Sequence, residues 1–322
     1  AYYDNSFTGL SFGQVFYMCS NTVGGAFNAR VSVLANDGVV DNEAPRIALA
    51  PDGTLYMLYR TSRNGAPQGG WPPFDQYLLR TSAPVTSCSP SWLYPAQKVS
   101  RGLPEELANT YGGSVYAGPT GALHAAWWAD KAGTNLHYRK GVPNGAGFGP
   151  PIDVSRLGTN HLQWDGTAAE LSVFGLGEDA ANNTHFVFAD RTSTRDGYLT
   201  GNLFYTCLNS AGALQAKIAA KSTGSADAMQ PRGIVNNGVF HMVWSDFRDA
   251  AAATTTGAEI YYRGVNVGAC SITASPQAGV SVSAVAFGGQ SMGTTAPAQA
   301  VTVTNIGTGT LTISNVAVNN AQ

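Results

Sequence analysis

The side chains able to do chemistry in this 322-residue chain are few, because Lys and Arg total 18, Asp and Glu 20 and His 5. The densest oxygen-bearing stretch holds Glu178, Asp179, Asn182 and Asn183, with Asp190 and Asp196 following. Calcium takes roughly six to eight oxygen ligands in flexible geometry, so these four residues are the candidate metal site and calcium the candidate cofactor. Their order differs from the EF-hand loop, and a solvated acidic loop is the other reading. A second set comprises Trp71, Asp130, Asp190, Arg191, Asp246 and Arg248, the candidate ligand-binding residues. Aromatic faces stack on sugar rings while Asp, Asn and Arg bond their hydroxyls. Trp71 lies in the Gly- and Pro-rich segment 62–74, where it could equally be a lid over a core edge. Glycoside hydrolysis needs two carboxyl groups about 5 to 9.5 Å apart across the sugar. Glu170, Glu178, Asp179, Asp190 and Asp246 are available, without a spacing that says which converge.

Other reactive types point to structure. His185 and His241 take corresponding places early in two similar strands, and His124 is one residue out of step. Repetition at equivalent positions suits a shared packing or hydrogen-bonding role rather than an axial metal. Cys19, Cys88, Cys207 and Cys270 lack CxxC spacing and nearby His partners, which disfavours a structural zinc site. One or two disulfides, or four buried thiols, remain open from spacing alone.

The elements that must position these residues are repeated. An aromatic strand ending in x-Asp, a polar connection and a second aromatic strand recur, anchored at Asp4, Thr61, Asp130, Asp190 and Asp246. The second strands are VFYMCS, QYLLRTS, NLHYRKG, NLFYTCL and EIYYRGV. Units of roughly sixty residues with this much strand character cannot bury a core alone and must stack. A radial array of small sheets does so without long open edges. Strands are expected at 2–4, 15–19 and 29–34, then 45–50, 54–60 and 76–81, then 111–117, 123–129 and 135–139. The fourth unit is expected to use 161–165, 170–175, 184–189 and 202–208, and the fifth to follow the turn Asn236-Asn237-Gly238. The paired Trp127 and Trp128 put one ring on each face of their strand, as blades packed on both sides require. The first unit lacks an inner strand, which a cleaved segment or the chain's far end could supply. The fold class is therefore all-β: a β-propeller of five blades over residues 1–275, or six if 153–180 hides an irregular one. Residues 276–322 change style and read as part of a second β domain.

With 12% charged residues and a formal net charge of −2, the chain offers no concentrated basic surface for nucleic acid. No apolar run reaches the roughly 18 residues of a membrane span. The opening AYYDN is already strand-like, as expected of a mature or excised piece of an exported protein.

The repeated ends Tyr59, Trp128-Ala129-Asp130, Phe188-Ala189-Asp190-Arg191 and Trp244-Ser245-Asp246-Phe247-Arg248, with Tyr138-Arg139 and Tyr261-Tyr262-Arg263, resemble the sialidase-like and BNR-like bacterial β-propellers. Phe287-Gly288, Gly293, the run 301–309 and Leu311-Thr312-Ile313 resemble the first part of Ig-like domains of the ASPM and hydin type. These resemblances imply an extracellular or bacterial cell-surface protein within a longer multidomain chain. They do not bring sialidase activity, since the Ser-x-Asp-x-Gly-x-x-Trp box is absent and Pro45-Arg46-Ile47 matches the family's arginine motif only loosely. Such enzymes hold the sugar carboxylate with an arginine cluster. Arg46, Arg60, Arg63, Arg191, Arg232, Arg248 and Arg263 are available, although periodic arginines can also join blades. The expected function is recognition of a glycan or surface protein, the alternatives being a glycoside hydrolase or polysaccharide lyase, or a structural part of a surface assembly.

Overall fold

The computed structural model describes residues 2–4, 14–34, 42–62, 74–100, 110–129, 135–142, 147–155, 174–190, 193–195, 198–221, 228–247, 258–268, 270, 278–280, 293–305 and 310–316. Among the described residues, antiparallel strands form five sheets of three or four strands in chain order, besides two two-stranded pairs. The first contains β1 (Tyr2–Asp4), β2 (Gln14–Tyr17) and β3 (Val31–Leu34). The second contains β4 (Asn42–Leu49), β5 (Leu55–Ser62), β6 (Phe74–Thr81) and β7 (Trp92–Lys98). The third contains β8 (Thr110–Ala117), β9 (Leu123–Ala129), β10 (Asn135–Gly141) and β11 (Ile152–Asp153).

The fourth sheet begins with β12 (Phe174–Glu178) and β13 (Thr184–Ala189). A separate hairpin, β14 (Ser193–Arg195) and β15 (Tyr198–Thr200), precedes β16 (Leu203–Leu208) and β17 (Ile218–Ala219), which complete that sheet. The fifth contains β18 (Ala228–Asn236), β19 (Val239–Asp246) and β20 (Glu259–Asn266). Beyond it, β21 (Ala278–Val280) pairs with β22 (Val303–Asn305).

Each sheet packs face to face on the next through alternate side chains. Val15, Tyr17 and Val33 meet Leu55, Met57 and Tyr59 of the second sheet. Tyr56, Leu58 and Leu78, on that sheet's other face, meet Leu123, Ala125 and Trp127. Ala126 and Trp128, pointing the opposite way from β9, meet Phe174, Phe186 and Phe188. Val187 and Tyr205 then meet Phe240, Met242 and Trp244. The period-two alternation of β9 thus fills two separate cores, and each tryptophan goes to its own face. Serial packing of small sheets, with inner strands converging as described below, is the arrangement of a β-propeller.

Polar clamps repeat between the sheets. Arg139 of β10 donates from Nη1 to the Val99 carbonyl of the preceding sheet at 2.7 Å. Arg263 of β20 donates in the same way to the Ala220 carbonyl at 2.7 Å. Lys217 reaches back from the fourth sheet to the Ser155 carbonyl at 3.0 Å. Between the fourth and fifth sheets the inner strands approach so closely that a Cβ at Gly175 would overlap the Gly233 amide. Cys19 is bonded to Cys88 and Cys207 to Cys270, so all four cysteines are in disulfides. The first bond ties the end of β2 to the β6–β7 connection, and the second ties β16 to the segment after β20.

The structure revises the sequence reading in detail. Of the strand expected at 170–175, residues 170–173 lie outside the described residues, and 174–175 open β12, which runs on to Glu178 and pairs with β13 along its whole length. Glu178 therefore belongs to a strand rather than to an acidic loop. The fourth strands β7, β11 and β17 are weakly patterned, and β14 and β15 form a hairpin between the strands expected at 184–189 and 202–208. The segment 161–165 lies outside the described residues.

Candidate functional site

The turns after the inner strands β4, β8, β12 and β18 converge on one cavity of about 520 Å³. Leu49 and Pro51 come from the second sheet, Tyr116, Gly118 and Pro119 from the third, Glu178 and Ala180 from the fourth, and Val235, Asn236 and Asn237 from the fifth. Asp-Gly, Pro-Thr-Gly and Asn-Gly turns reverse the chain here, with positive φ at Gly53, Gly121, Asn237 and Gly238.

Glu178 is the one carboxylate among the lining residues, and it is 1% exposed. Its Oε2 accepts from Thr120 Oγ1 at 2.7 Å, and its Oε1 accepts from Lys140 Nζ at 3.0 Å. His124 Nε2 stands 3.4 Å from the same Oε1. Burial would raise this carboxyl's pKa, but the bonds from His124, Thr120 and Lys140 outweigh it and hold the value at about 2. On the far side of the imidazole, Nδ1 lies 2.7 Å from the Tyr138 hydroxyl. That hydroxyl lies 3.3 Å from Thr184 Oγ1. Burial lowers the pKa of His124 against the pull of Glu178, and it raises that of Tyr138. The Nδ1 bond to Tyr138 and the lowered pKa fit a neutral imidazole whose Nε2 lies near the carboxylate without a hydrogen bond of good geometry.

A parallel relay stands one sheet further on. His185 Nε2 lies 3.1 Å from Asp179 Oδ2 and its Nδ1 lies 2.8 Å from the Tyr205 hydroxyl. The fifth sheet repeats the inner half, with His241 Nδ1 2.7 Å from the Tyr262 hydroxyl. The register explains the recurrence. Each Tyr sits on the third strand two residues before the partner of the His, on the same face. The repeated histidines are thus hydrogen-bonded parts of the sheets.

The four candidate metal ligands sort into two pairs. Glu178 and Asn182 both face Lys140, whose Nζ donates to Asn182 Oδ1 at 2.6 Å, so an ammonium occupies the place between them. Asp179 accepts from the Asn183 amide and side chain at 2.8 Å each, and Asn183 Oδ1 accepts from the Ser210 amide. Among the described residues no group of three or more His, Cys, Asp or Glu is placed to hold a metal ion.

Of the candidate ligand-binding residues, Asp190 and Asp246 are described, whereas Trp71, Asp130, Arg191 and Arg248 lie outside the described residues. Asp190 accepts from the Asn202 amide at 2.7 Å and from its side chain at 3.0 Å, closing the base of the β13–β16 connection. Asp246 is fully buried and accepts from Lys221 Nζ at 3.2 Å and Trp244 Nε1 at 3.1 Å.

The structure singles out Arg46 and Arg232 from the wider set of arginines. They hold matching places on β4 and β18, each after a proline and immediately past a β-bulge. Ala44 and Gln230 in these bulges have φ of 51° and 49°, a left-handed conformation that side chains other than Gly, Asn and Asp seldom adopt. The bulges set each guanidinium so that Nη1 donates to the preceding prolyl carbonyl, at 3.0 Å for Arg46 and 2.9 Å for Arg232. The two charges are near enough to interact: burial, and secondly Arg46, lower the pKa of Arg232. The repeated Pro-Arg was visible in the sequence, but its convergence was not.

No protein-family model matches the chain, and no curated protein matches it in sequence. Solved structures with partial likeness include the Bacillus subtilis arabinanase Arb43A, at 12% identity and a TM-score of 0.35, with 70% of this chain and 72% of that one covered. The α-L-arabinofuranosidase from Lactobacillus brevis gives 12% identity and a TM-score of 0.42, with 73% and 78% covered. The Hadza microbial sialidase Hz136 gives 10% identity and a TM-score of 0.41, with 74% and 49% covered. Likeness at this level transfers neither site nor activity, so the chain's own geometry has to carry the functional reading.

Proposed function

We propose that this chain is an extracellular glycan-recognising β-propeller whose arginine pair, Arg46 and Arg232, receives an acidic group of the sugar. The observation that carries the reading is the pair of matched bulges. Left-handed φ at a non-glycine residue costs of order 1–3 kcal/mol, and such strain tends to collect at functional sites. Among the five non-glycine residues with positive φ in the described residues, Ala44 and Gln230 lie in inner-strand bulges, each two residues before one of the arginines, while the corresponding bulge of β8 uses Gly112 and carries no arginine. A planar guanidinium fork matches a carboxylate or sulfate in two parallel bonds. The two disulfides are consistent with an oxidising, extracellular setting.

Recognition is taken as the main reading because none of the three candidate carboxylates that are described, Glu178, Asp190 and Asp246, is placed as a general acid. Glu178 is held ionised and cannot serve as a general acid near neutral pH. Asp190 and Asp246 are engaged by Asn202 and by Lys221 with Trp244. The alternative reading is a glycoside hydrolase or polysaccharide lyase, and product analysis separates the two. The test is affinity electrophoresis through gels containing an acidic polysaccharide, followed by sizing of the polysaccharide. The proposal expects retardation that Arg232→Ala abolishes, with the polymer intact. Unretarded migration of the unaltered protein would refute it, and shortened polymer would install the enzyme reading.

A further inference from the structure

We propose that the outer edge of β20 docks a second copy of this chain, the two β20 strands pairing antiparallel about a two-fold axis at Tyr261. Among the described residues the fifth sheet ends at β20, whereas the third strands of the second, third and fourth sheets each carry a fourth, β7, β11 or β17. A strand at a sheet's rim is a template for another chain unless something blunts it. The other rims are blunted. β3 is four residues long, β11 and β17 are two residues each, and β7 contains Pro95 and a register shift. β20 runs for eight residues, holds no proline and pairs with β19 without a shift. It is also open to solvent, with Ile260 74% and Tyr262 61% exposed.

The side chains of β20 select both the partner and the register. A two-fold axis normal to the sheet keeps every side chain on its own face, so directly opposed residues come from the same face. Centred on Tyr261, the pairing sets Glu259 opposite Arg263 of the second copy on one face, and Ile260 opposite its Tyr262 on the other. Opposite charges, and an aromatic beside a β-branched side chain, are both favourable cross-strand pairs. Symmetry makes each pair occur twice. Moving the centre to residue 260 or 262 opposes Tyr261 to Glu259 or to Arg263 and loses both ion pairs. Glu259 and Arg263 are exposed. Arg263 is anchored through Nη1 on the Ala220 carbonyl, which leaves its other guanidinium nitrogens to donate. The Glu259 carboxylate takes the Tyr261 hydroxyl at 3.3 Å through Oε2, with Oε1 left to accept.

Sedimentation equilibrium of the full chain over a concentration series reads the association, which one strand pair makes weak. A monomer–dimer equilibrium is expected, and Glu259→Arg, which turns both ion pairs into like-charge pairs at an exposed position, should weaken it roughly tenfold or more. Cross-linking tests the register separately. All four natural cysteines are in disulfides, so no other thiol competes. Directly opposed residues hold their Cβ atoms about 4.5–5.5 Å apart, close to the span of a disulfide. A mixture of the Ile260→Cys and Tyr262→Cys proteins should therefore cross-link faster than either variant alone. A monomer at every concentration up to roughly 1 mM, a Glu259→Arg protein that dimerises as well as the unaltered one, or cross-linking no faster in the mixture than in the separate variants would overturn the proposal.

Discussion

Gly118 faces the carboxylate of Glu178 across two sheets, and a methyl group in place of its hydrogen would overlap Oε2. The carboxylate is also bonded to Thr120 and to Lys140, which is itself held by Asn182, so it has no easy retreat. Gly118→Ala is therefore expected to destabilise the fold by about 1–3 kcal/mol, the usual cost of overpacking. Chemical denaturation of both proteins measures this, and an unchanged midpoint would show that Glu178 moves freely.

The repeated arginine clamps should matter in proportion to the charge-assisted bond that each makes. Arg139→Gln removes a guanidinium from the Val99, Gly149 and Phe148 carbonyls, and Arg263→Gln removes one from the Ala220 carbonyl. Each should cost about 1.5–3 kcal/mol. Additive loss in the double variant is expected, because the clamps join different pairs of sheets. Urea titration of the single and double variants checks both the size and the additivity.

Acid should weaken the fold in two stages. His124 and His185 have lowered pKa values, chiefly from burial, so the unfolded chain takes up their protons first as pH falls below 6.5. Glu178 and Asp179 also have depressed values, so their contribution is present above the unfolded values of 4.5 and 3.8 and is lost as pH falls toward the folded ones. Unfolding midpoints measured from pH 8 to pH 3 should decline below about 6.5 and again below about 4.5. His124→Gln should flatten the first decline if it retains the fold.

Calcium removal is expected to leave the unfolding midpoint unchanged as far as Glu178, Asp179, Asn182 and Asn183 are concerned. Lys140 stands between one pair, and the other pair is bonded internally. Thermal melts with calcium and with excess chelator test this. A fall on chelation that Asp179→Asn removes would show that the cluster rearranges around the ion.

The sheets were legible in the sequence because their signal is local. Leu123–Ala129 and Thr184–Ala189 are strands over the residues expected, and Trp127 and Trp128 divide between two cores as alternation requires. The site was less legible because its partners are distant in sequence. Glu178 resembled a loop acid among Asp179, Asn182 and Asn183, and only packing of the third sheet on the fourth reveals its bonds to Thr120, His124 and Lys140. Asp190 and Asp246 attracted notice as repeated strand-end acids, yet their recurrence reflects bonds that close loops and join sheets. The bulges that set Arg46 and Arg232 fall at Ala44 and Gln230, where no glycine marks a left-handed turn.

The most direct test of glycan recognition at the arginine pair is calorimetric titration with an acidic oligosaccharide and with its carboxyl-reduced or desulfated counterpart. The account predicts that the acidic form binds, that added salt weakens it, and that Arg46→Ala and Arg232→Ala each abolish it while the unfolding midpoint is retained. Equal binding of the uncharged counterpart, or full binding by both folded arginine variants, would contradict it.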